Sequence, residues 1–481
     1  MSAAAPRTVF VSGFFNVLHP GHVRLLRFAS ELGDRLVVGV LPDVLSGDLA
    51  TVSEGSRLEA IQSLRMVDDS FVIGDSVTDT IKRLRPDVVV KGREHQYRNN
   101  EESEVVRAYG GRLIFSSGDS FFSATDLIRG ELESPRQYSI NLPTEFMAHH
   151  KITRERLSDI LSRLANVSVL VAGDSIVDEY VSCHPLGMSR EDPTLVVTPI
   201  ETKAFVGGAA IVAAHAASIG GHASLHTVTG LDSQATFLDD ELAKFGVQAR
   251  LYTDDSRPTT TKQRWRAGGK TLLRVSHLHQ DPISSALQEE FFDGVARNID
   301  QCDVLIFSDF NYGVLPQALV DRLIDLGKHH GVTMAADSQA SSQIGDISRF
   351  VGMNLVTPTE YEARVATRNF EDGLVVLADQ IRAGAQASLV LMTLAEDGVF
   401  VRGAAGLEAA PATERIPALN SSPVDVVGAG DSLLVVSAMA LSVGASIFEA
   451  ALLGSMAAAV QVSMTGNRPI QADSLRWSLT L

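Results

Sequence analysis

Apolar and polar positions along the chain fall into two blocks of alternating strand and helix periodicity. In the first block an apolar run at residues 8–12 stops at the turn-like Gly13-Phe14-Phe15-Asn16. A helical spacing follows over residues 21–32, and a second apolar run covers 35–41. A polar stretch to Ser56 leads into a helical pattern at 57–67, then short strands at 70–73, 87–90 and 112–115. Strands alternating with helices predict a parallel sheet with crossover helices.

Residues 134–151 hold two prolines and no clean period, which predicts a linker, and 153–164 read as a short amphipathic helix leading out of it. A second strand–helix series begins with the strand 167–172. It continues through 196–200, 223–228, 304–310, 332–338, 353–358 and 388–394 to a Gly-rich turn and a long apolar helix after Asp431. The expected organisation is α/β throughout: a unit over 1–133, a linker and lead-in helix over 134–164, and a large α/β unit over 165–481. A length of 481 residues suits about three average domains, so ample core is available.

Composition narrows the function. Hydrophobic residues make up 45% and charged residues 21%, an ordinary globular balance. The formal net charge of −17 argues against general binding of nucleic acid or anionic lipid. Cys183 and Cys302 stand alone, so neither a disulfide framework nor a zinc cluster is expected, and a reducing cytoplasm fits. The N-terminal segment has no long apolar core and reads as no secretory signal. The charge-free run 432–448 is rich in Ala, Ser and Gly and reads as a buried helix, not a membrane span.

Two segments carry candidate chemistry. In the first, His19-Pro20-Gly21-His22 lies where a strand gives way to a helix. A helix start offers unpaired N–H groups and a positive dipole end, which suits phosphate, and imidazoles there can donate to phosphate oxygens as charge develops. A helix-capping turn with two incidental histidines has the same spacing. The segment resembles the HxGH signature of the cytidylyltransferase-like nucleotidyltransferases, and Asp43, Arg57, Pro86 to Gly92 and Phe122 to Ile128 follow in that family's order. The resemblance covers residues 7–130 and implies a Rossmann-like domain. It implies that His19 and His22 contact the triphosphate and transition state, and that Gly13, Phe14, Lys91, Ser123 and Thr125 line the nucleotide and phosphate site. Two departures stand out: Asn16 replaces the usual Asp, and the loop 41–56 has no Lys or Arg, leaving Arg57 as the first cation.

The second segment is Asp425-Val426-Val427-Gly428-Ala429-Gly430-Asp431-Ser432. A Gly-Ala-Gly turn at a helix start exposes amides as an anion cradle, with Asp431 placed to accept a proton from an attacking hydroxyl. A Gly-rich turn with a capping Asp would look the same. This segment, with Val206-Gly207-Gly208-Ala209-Ala210, resembles the two signatures of the ribokinase-like (PfkB) carbohydrate kinases over residues 165–478. The resemblance implies Asp431 as general base and Gly428, Ala429 and Gly430 as anion hole. It places Asp174, Asp178, Gly207, Gly208, Lys262 and Arg264 on the substrate, and Glu362, Thr393 and Gly398 near the nucleotide. ATP and Mg²⁺ are implied cofactors, with no protein-bound metal otherwise expected. Here Ile211 and Thr359 replace family Asn residues, and Tyr312 and Gln339 stand where relatives carry Lys.

The pairing resembles the bifunctional enzymes of ADP-heptose synthesis with the order of the two halves reversed. It implies sugar-phosphate and nucleoside-triphosphate substrates, no nucleic-acid or membrane partner, and a homodimer. An enzyme with one working half, and a non-catalytic nucleotide binder, are the alternatives. His149-His150 and His329-His330 read as solvated pairs, not metal ligands, because no carboxylate accompanies them in sequence. His215 reads as packed within an Ala-rich helix. Trp265 fits either a substrate lid or an edge strand.

Overall fold

The apolar run near the N-terminus forms the central strand of a parallel sheet in the computed structural model, which describes residues 7–15, 20–43, 53–92, 101–116, 140–189, 192, 194–267, 270–339, 345–405 and 411–480. The chain divides into two units, Met1–Ser134 with Phe370–Leu377 and Pro135–Asn369 with Ala378–Leu481.

The first unit runs β1 (Thr8–Gly13), α1 (Pro20–Ser30), β2 (Arg35–Val40), α2 (Glu54–Gln62), β3 (Asp69–Val72), α3 (Val77–Leu84), β4 (Val88–Gly92), α4 (Glu101–Ala108) and β5 (Arg112–Ser116). The strands pair in parallel in the order β3-β2-β1-β4-β5. Val9, Phe10 and Val11 are fully buried, as expected for a strand covered on both faces. The order reverses between β1 and β4. In open α/β sheets the crevice at the carboxyl ends of such a strand pair is where ligands bind. Gly13 ends one of these strands and Lys91-Gly92 the other. The helix expected at 57–67 starts earlier, capped by the Ser53 side chain, and stops at Ser63.

The second unit begins with α5 (Thr144–His149) and α6 (Arg154–Arg163), followed by β6 (Ser168–Gly173), β7 (Ser175–Met188), β8 (Leu195–Gly208), α7 (Ala209–Ser218), β9 (His222–Thr229), α8 (Ser233–Lys244), β10 (Gln248–Thr253), β11 (Thr261–Ala267) and β12 (Lys270–His277). It continues with α9 (Ser285–Ala296), β13 (Val304–Asp309), α10 (Gln317–His330), β14 (Thr333–Ser338), β15 (Leu355–Val356), α11 (Glu360–Thr367), α12 (Leu374–Gly384) and β16 (Leu389–Thr393). Then come β17 (Val399–Ala405), β18 (Pro411–Ile416), α13 (Ala429–Ser442), α14 (Ile447–Gln461) and α15 (Ala472–Ser478).

Nine strands form one sheet in the order β10-β9-β6-β13-β14-β15-β16-β17-β18, and β12-β11-β7-β8 form a second sheet of four. The large sheet reverses between β6 and β13, so Asp174 and Asp309 stand at its crevice. Trp265 lies on β11, an interior strand of the small sheet and not an edge.

The segment read as a linker is folded from Ile140 onward: Phe146 and Met147 of α5 are buried in the main core with Ile140 and Ile152. A six-residue helix is too short to show a period, and Pro143 stands at its N-cap. The charge-free run 432–448 makes two helices, not one. Gly444 breaks it at φ 80°, and a Ser446–Glu449 capping box starts α14. No helix among the described residues is long and apolar enough to cross a membrane. His215 is fully buried on α7, its Nδ1 accepting the Ile470 N–H at 3.1 Å, and burial pushes its pKa down to about 3.

Candidate functional sites

At the crevice of the first unit, a Cβ on Gly13 would meet the Phe15 ring at 3.1 Å. Glycine therefore lets Phe15 turn into the core at φ 50°. The His22 ring stands edge-on to Phe15, 5.2 Å between centroids, and Phe14 is 36% exposed. Lys91 ion-pairs with Glu102 of α4 at 2.7 Å. Arg57, the first cation after the lysine-free loop, is 1% exposed and does not open toward a ligand. Its Nη1 donates to the carbonyls of Phe14 at 2.5 Å and Leu41 at 3.0 Å, and its Nη2 pairs with Asp43. That guanidinium ties together the chain just past β1 and β2, and its hydrogen bond holds the Asp43 carboxyl below its usual range. His19, Ser123, Thr125, Asn16 and most of the lysine-free loop lie outside the described residues.

At the crevice of the second unit, Asp431 sits in the first turn of α13, 6% exposed, with Oδ1 buried and unpartnered among the described residues. Burial, then the nearby Asp178 and Glu362 carboxylates, push its pKa up to about 7 against the pull of Lys262. Such a value suits a base working near neutrality. Gly428 is the N-cap of α13 at φ 79° and brings no side chain to the first amides. A Cβ there would lie 2.3 Å from Asn467 Oδ1, whereas one on Gly430 would point into open space. A Cβ on Gly207 would lie 2.5 Å from Asp178 Oδ2. Asp178 is itself buried, accepts from Asn467 Nδ2 at 3.1 Å and pairs with Arg264 at 3.4 Å.

Lys262, Arg264 and Arg266 alternate along β11 and so share one face of the small sheet. The Lys262 ammonium lies 4.7 Å from the Phe310 ring and 5.3 Å from that of Tyr312. The Arg264 and Arg266 guanidiniums lie 5.8 and 5.1 Å from the Tyr180 ring. The Tyr180 hydroxyl in turn donates to Asp425 at 2.9 Å.

Several expected contacts have other partners. Asp174, expected on the substrate, accepts the backbone N–H groups of Phe310 (2.8 Å), Tyr312 (3.3 Å) and Val314 (3.4 Å). Its oxygens therefore shape the loop beneath Lys262 instead of opening to a ligand. Gly208 is glycine for the same packing, its Cβ position lying 2.2 Å from the Asp174 carbonyl oxygen. Gly398 adopts φ 91°, and a Cβ there would lie 2.1 Å from the Ile416 carbonyl, so backbone packing accounts for it. Thr393 ends β16 and donates its N–H to the Pro358 carbonyl at 3.0 Å. Ile211 is fully buried in the core on α7. Thr359 caps α11 in a capping box with Glu362, whose Oε2 accepts the Thr359 N–H at 2.8 Å.

Asn467, Asp337 and Arg349 complete the site. Asp337, near the end of β14, has a buried Oδ1 with no partner among the described residues, and burial, then the Glu362 and Asp431 charges, raise its pKa well above the ordinary Asp value. Arg349 pairs with Asp309 at 2.9 Å behind it. The buried carboxylates of Asp337 and Glu362, beside Asp431, are hard oxygen donors that would hold Mg²⁺ with a nucleotide's phosphates. His150, expected to be solvated, is half-buried, stacked on Phe448 at 3.7 Å and bonded to Glu414 at 3.2 Å. His330 pairs with Asp300 at 2.8 Å.

Comparison with known proteins agrees with this division. Residues 10–128 match the cytidylyltransferase-like family, and residues 172–473 match the pfkB family of carbohydrate kinases. Curated relatives called "Bifunctional protein HldE" are 30% identical in Helicobacter hepaticus, over 62% of this chain and 61% of that protein, and 31% identical in Alcanivorax borkumensis, over 65% and 63%. The chain thus spans less than two thirds of the curated relatives it matches. Ribokinase from Thermotoga maritima superposes with a TM-score of 0.52 at 20% identity, covering 66% of this chain and all of that one. Arabidopsis thaliana ribokinase complexed with ribose and ATP superposes at 0.51 and 17%, over 66% and 99%. On the match over residues 172–473, the chain belongs to the PfkB family of carbohydrate kinases, preceded by a cytidylyltransferase-like domain.

Proposed function

We propose that the protein is a bifunctional enzyme that builds a nucleotide-activated sugar of the ADP-heptose kind. The kinase unit transfers the γ-phosphoryl group of ATP to a hydroxyl of an already phosphorylated sugar. The N-terminal unit transfers the nucleoside monophosphate group of a nucleoside triphosphate to a sugar 1-phosphate: the sugar phosphate oxygen attacks the α-phosphorus, the bond to the β-phosphate breaks, and pyrophosphate leaves. The observation that carries this reading is the row Lys262, Arg264 and Arg266 on one face of β11, with Lys262 and Arg264 acting electrostatically on Asp178 and Lys262 on Asp431. Three cations beside a general base suit an anionic acceptor better than a neutral sugar.

In the kinase step Asp431 takes the proton of the attacking hydroxyl at its buried carboxylate. The amides that begin α13 at Gly428, Ala429 and Gly430 hold the migrating phosphoryl group, with no side chain in the way. Asp178, fixed by Asn467 and Arg264, and Gly207 beside it orient the sugar. Mg²⁺, held by Asp337 and Glu362, would neutralise charge on the phosphates. In the transferase step His22, with His19, donates to the triphosphate, and Gly13 and Phe14 border the nucleotide. Arg57 acts indirectly, by holding the Phe14 and Leu41 carbonyls. A cytoplasmic homodimer joined through the kinase unit completes the reading.

The test is ADP release with a sugar phosphate against its unphosphorylated counterpart. The phosphorylated acceptor should win, and Arg264→Ala should raise its KM by about 10–100-fold, the loss of one charge-assisted contact. Equal turnover of both acceptors by the native enzyme would overturn the reading.

A further inference from the structure

We propose that His149, His150 and Glu414 form a binding site for a late divalent transition metal such as Zn²⁺, separate from both nucleotide sites. The two histidines end α5, and Glu414 lies on β18, the edge strand of the nine-stranded sheet. His150 and Glu414 are 264 positions apart in sequence, so only the fold reveals the group.

One ligand atom from each residue lies within 4.8 Å of the others. Nε2 of His150 is 3.2 Å from Oε2 of Glu414, and the two side chains are 12% and 14% exposed. Tetrahedral zinc with bonds near 2.0–2.1 Å sets its ligand atoms about 3.3 Å apart. That pair therefore already spans one edge of a coordination tetrahedron. The His150 ring is held by stacking on Phe448 and by Phe146 at 4.6 Å. Glu414 is oriented by its other oxygen, which accepts the Arg415 N–H at 3.0 Å. Ligands fixed by neighbours in this way are the arrangement that metal sites need. His149 is exposed, its ring edge-on to His150 at 4.7 Å, and rotation of that ring closes the third corner. Water takes the fourth.

Two imidazoles and one carboxylate favour Zn²⁺ over Mg²⁺ or Ca²⁺, which prefer all-oxygen shells. The metal replaces the hydrogen bond between His150 and Glu414, the ring proton residing on Nδ1. Its effect is to pin α5 to the sheet edge and so close a long loop of chain.

The full-length protein, stripped with chelator, is titrated calorimetrically with Zn²⁺, and Co²⁺ serves as an optical probe of tetrahedral geometry. One equivalent should bind and raise the unfolding temperature. His149→Ala, at an exposed position, and Glu414→Gln should each weaken that equivalent at least ~10-fold, with ATP-driven ADP release unchanged. A wild-type protein that binds no Zn²⁺, or binding that survives both substitutions unaltered, overturns the proposal.

Discussion

Asn467 and Asp178, 289 positions apart, meet through a 3.1 Å hydrogen bond from the amide Nδ2 to the carboxylate Oδ2. The other end of the same amide occupies the space that a side chain at Gly428 would need. One buried side chain thus fixes both Asp178 and the turn that begins α13. Gly428→Ala must relieve a 2.3 Å approach at φ 79°. It should cost about 1–3 kcal/mol in thermal unfolding and remove most ADP release, while pyrophosphate release stays.

Asp431→Asn should lower kinase turnover by ~10²–10⁴-fold, the usual contribution of a general base. The same substitution has a signed effect on stability. The Asp431 pKa is about 7 in the folded protein against 3.8 for an ordinary Asp, so between those values the folded state holds a proton that the unfolded chain has lost. Asp431 therefore costs the fold progressively more as pH rises through that window, and the cost is complete above about 7. Unfolding temperatures should show Asp431→Asn gaining on wild type at pH 8 and matching it near pH 4. Wild-type kinase activity should climb through neutrality and then level.

Arg57 is a clamp within the cytidylyltransferase-like unit, and its removal takes away a donor to the Phe14 and Leu41 carbonyls. Arg57→Ala should destabilise that unit by about 2–4 kcal/mol and depress pyrophosphate release. Arg57→Lys should recover only part, because an ammonium lacks the forked donors. Differential scanning calorimetry read beside both product assays checks this, with ADP release expected to be unaffected.

Tyr180 separates two interactions. Its hydroxyl bonds to Asp425, and its ring underlies Arg264 and Arg266. Tyr180→Phe should lower kcat/KM for the acceptor by roughly 10-fold, one hydrogen bond to a charged group. Tyr180→Leu also removes the ring and should cost more. Equal effects would show that the ring does not position the guanidiniums.

Local patterns were legible where one stretch of chain supplies them. The buried strand 304–309, the alternation of strands with helices and the Gly428–Asp431 turn all follow from apolar runs and glycine placement. What escaped depends on distant partners. Nothing near Asp174 indicates that three amides of the 310–314 loop donate to it. Nothing near Gly398 shows the Ile416 carbonyl pressed against it. Arg57 reads only as the first cation after the lysine-free loop, and its carbonyl partners at Phe14 and Leu41 come from the fold. Asn467 follows Gly466 in a Gly-Asn-Arg-Pro turn signal, the only local hint that the C-terminal segment reaches the site.

The most direct measurement follows ADP and pyrophosphate separately as the protein turns over ATP, Mg²⁺ and a panel of sugar phosphates. Wild type should form both products, Asp431→Asn should lose only ADP, and His22→Ala should lose only pyrophosphate. If both substitutions leave both products at wild-type rates, the chemistry does not reside at these two crevices.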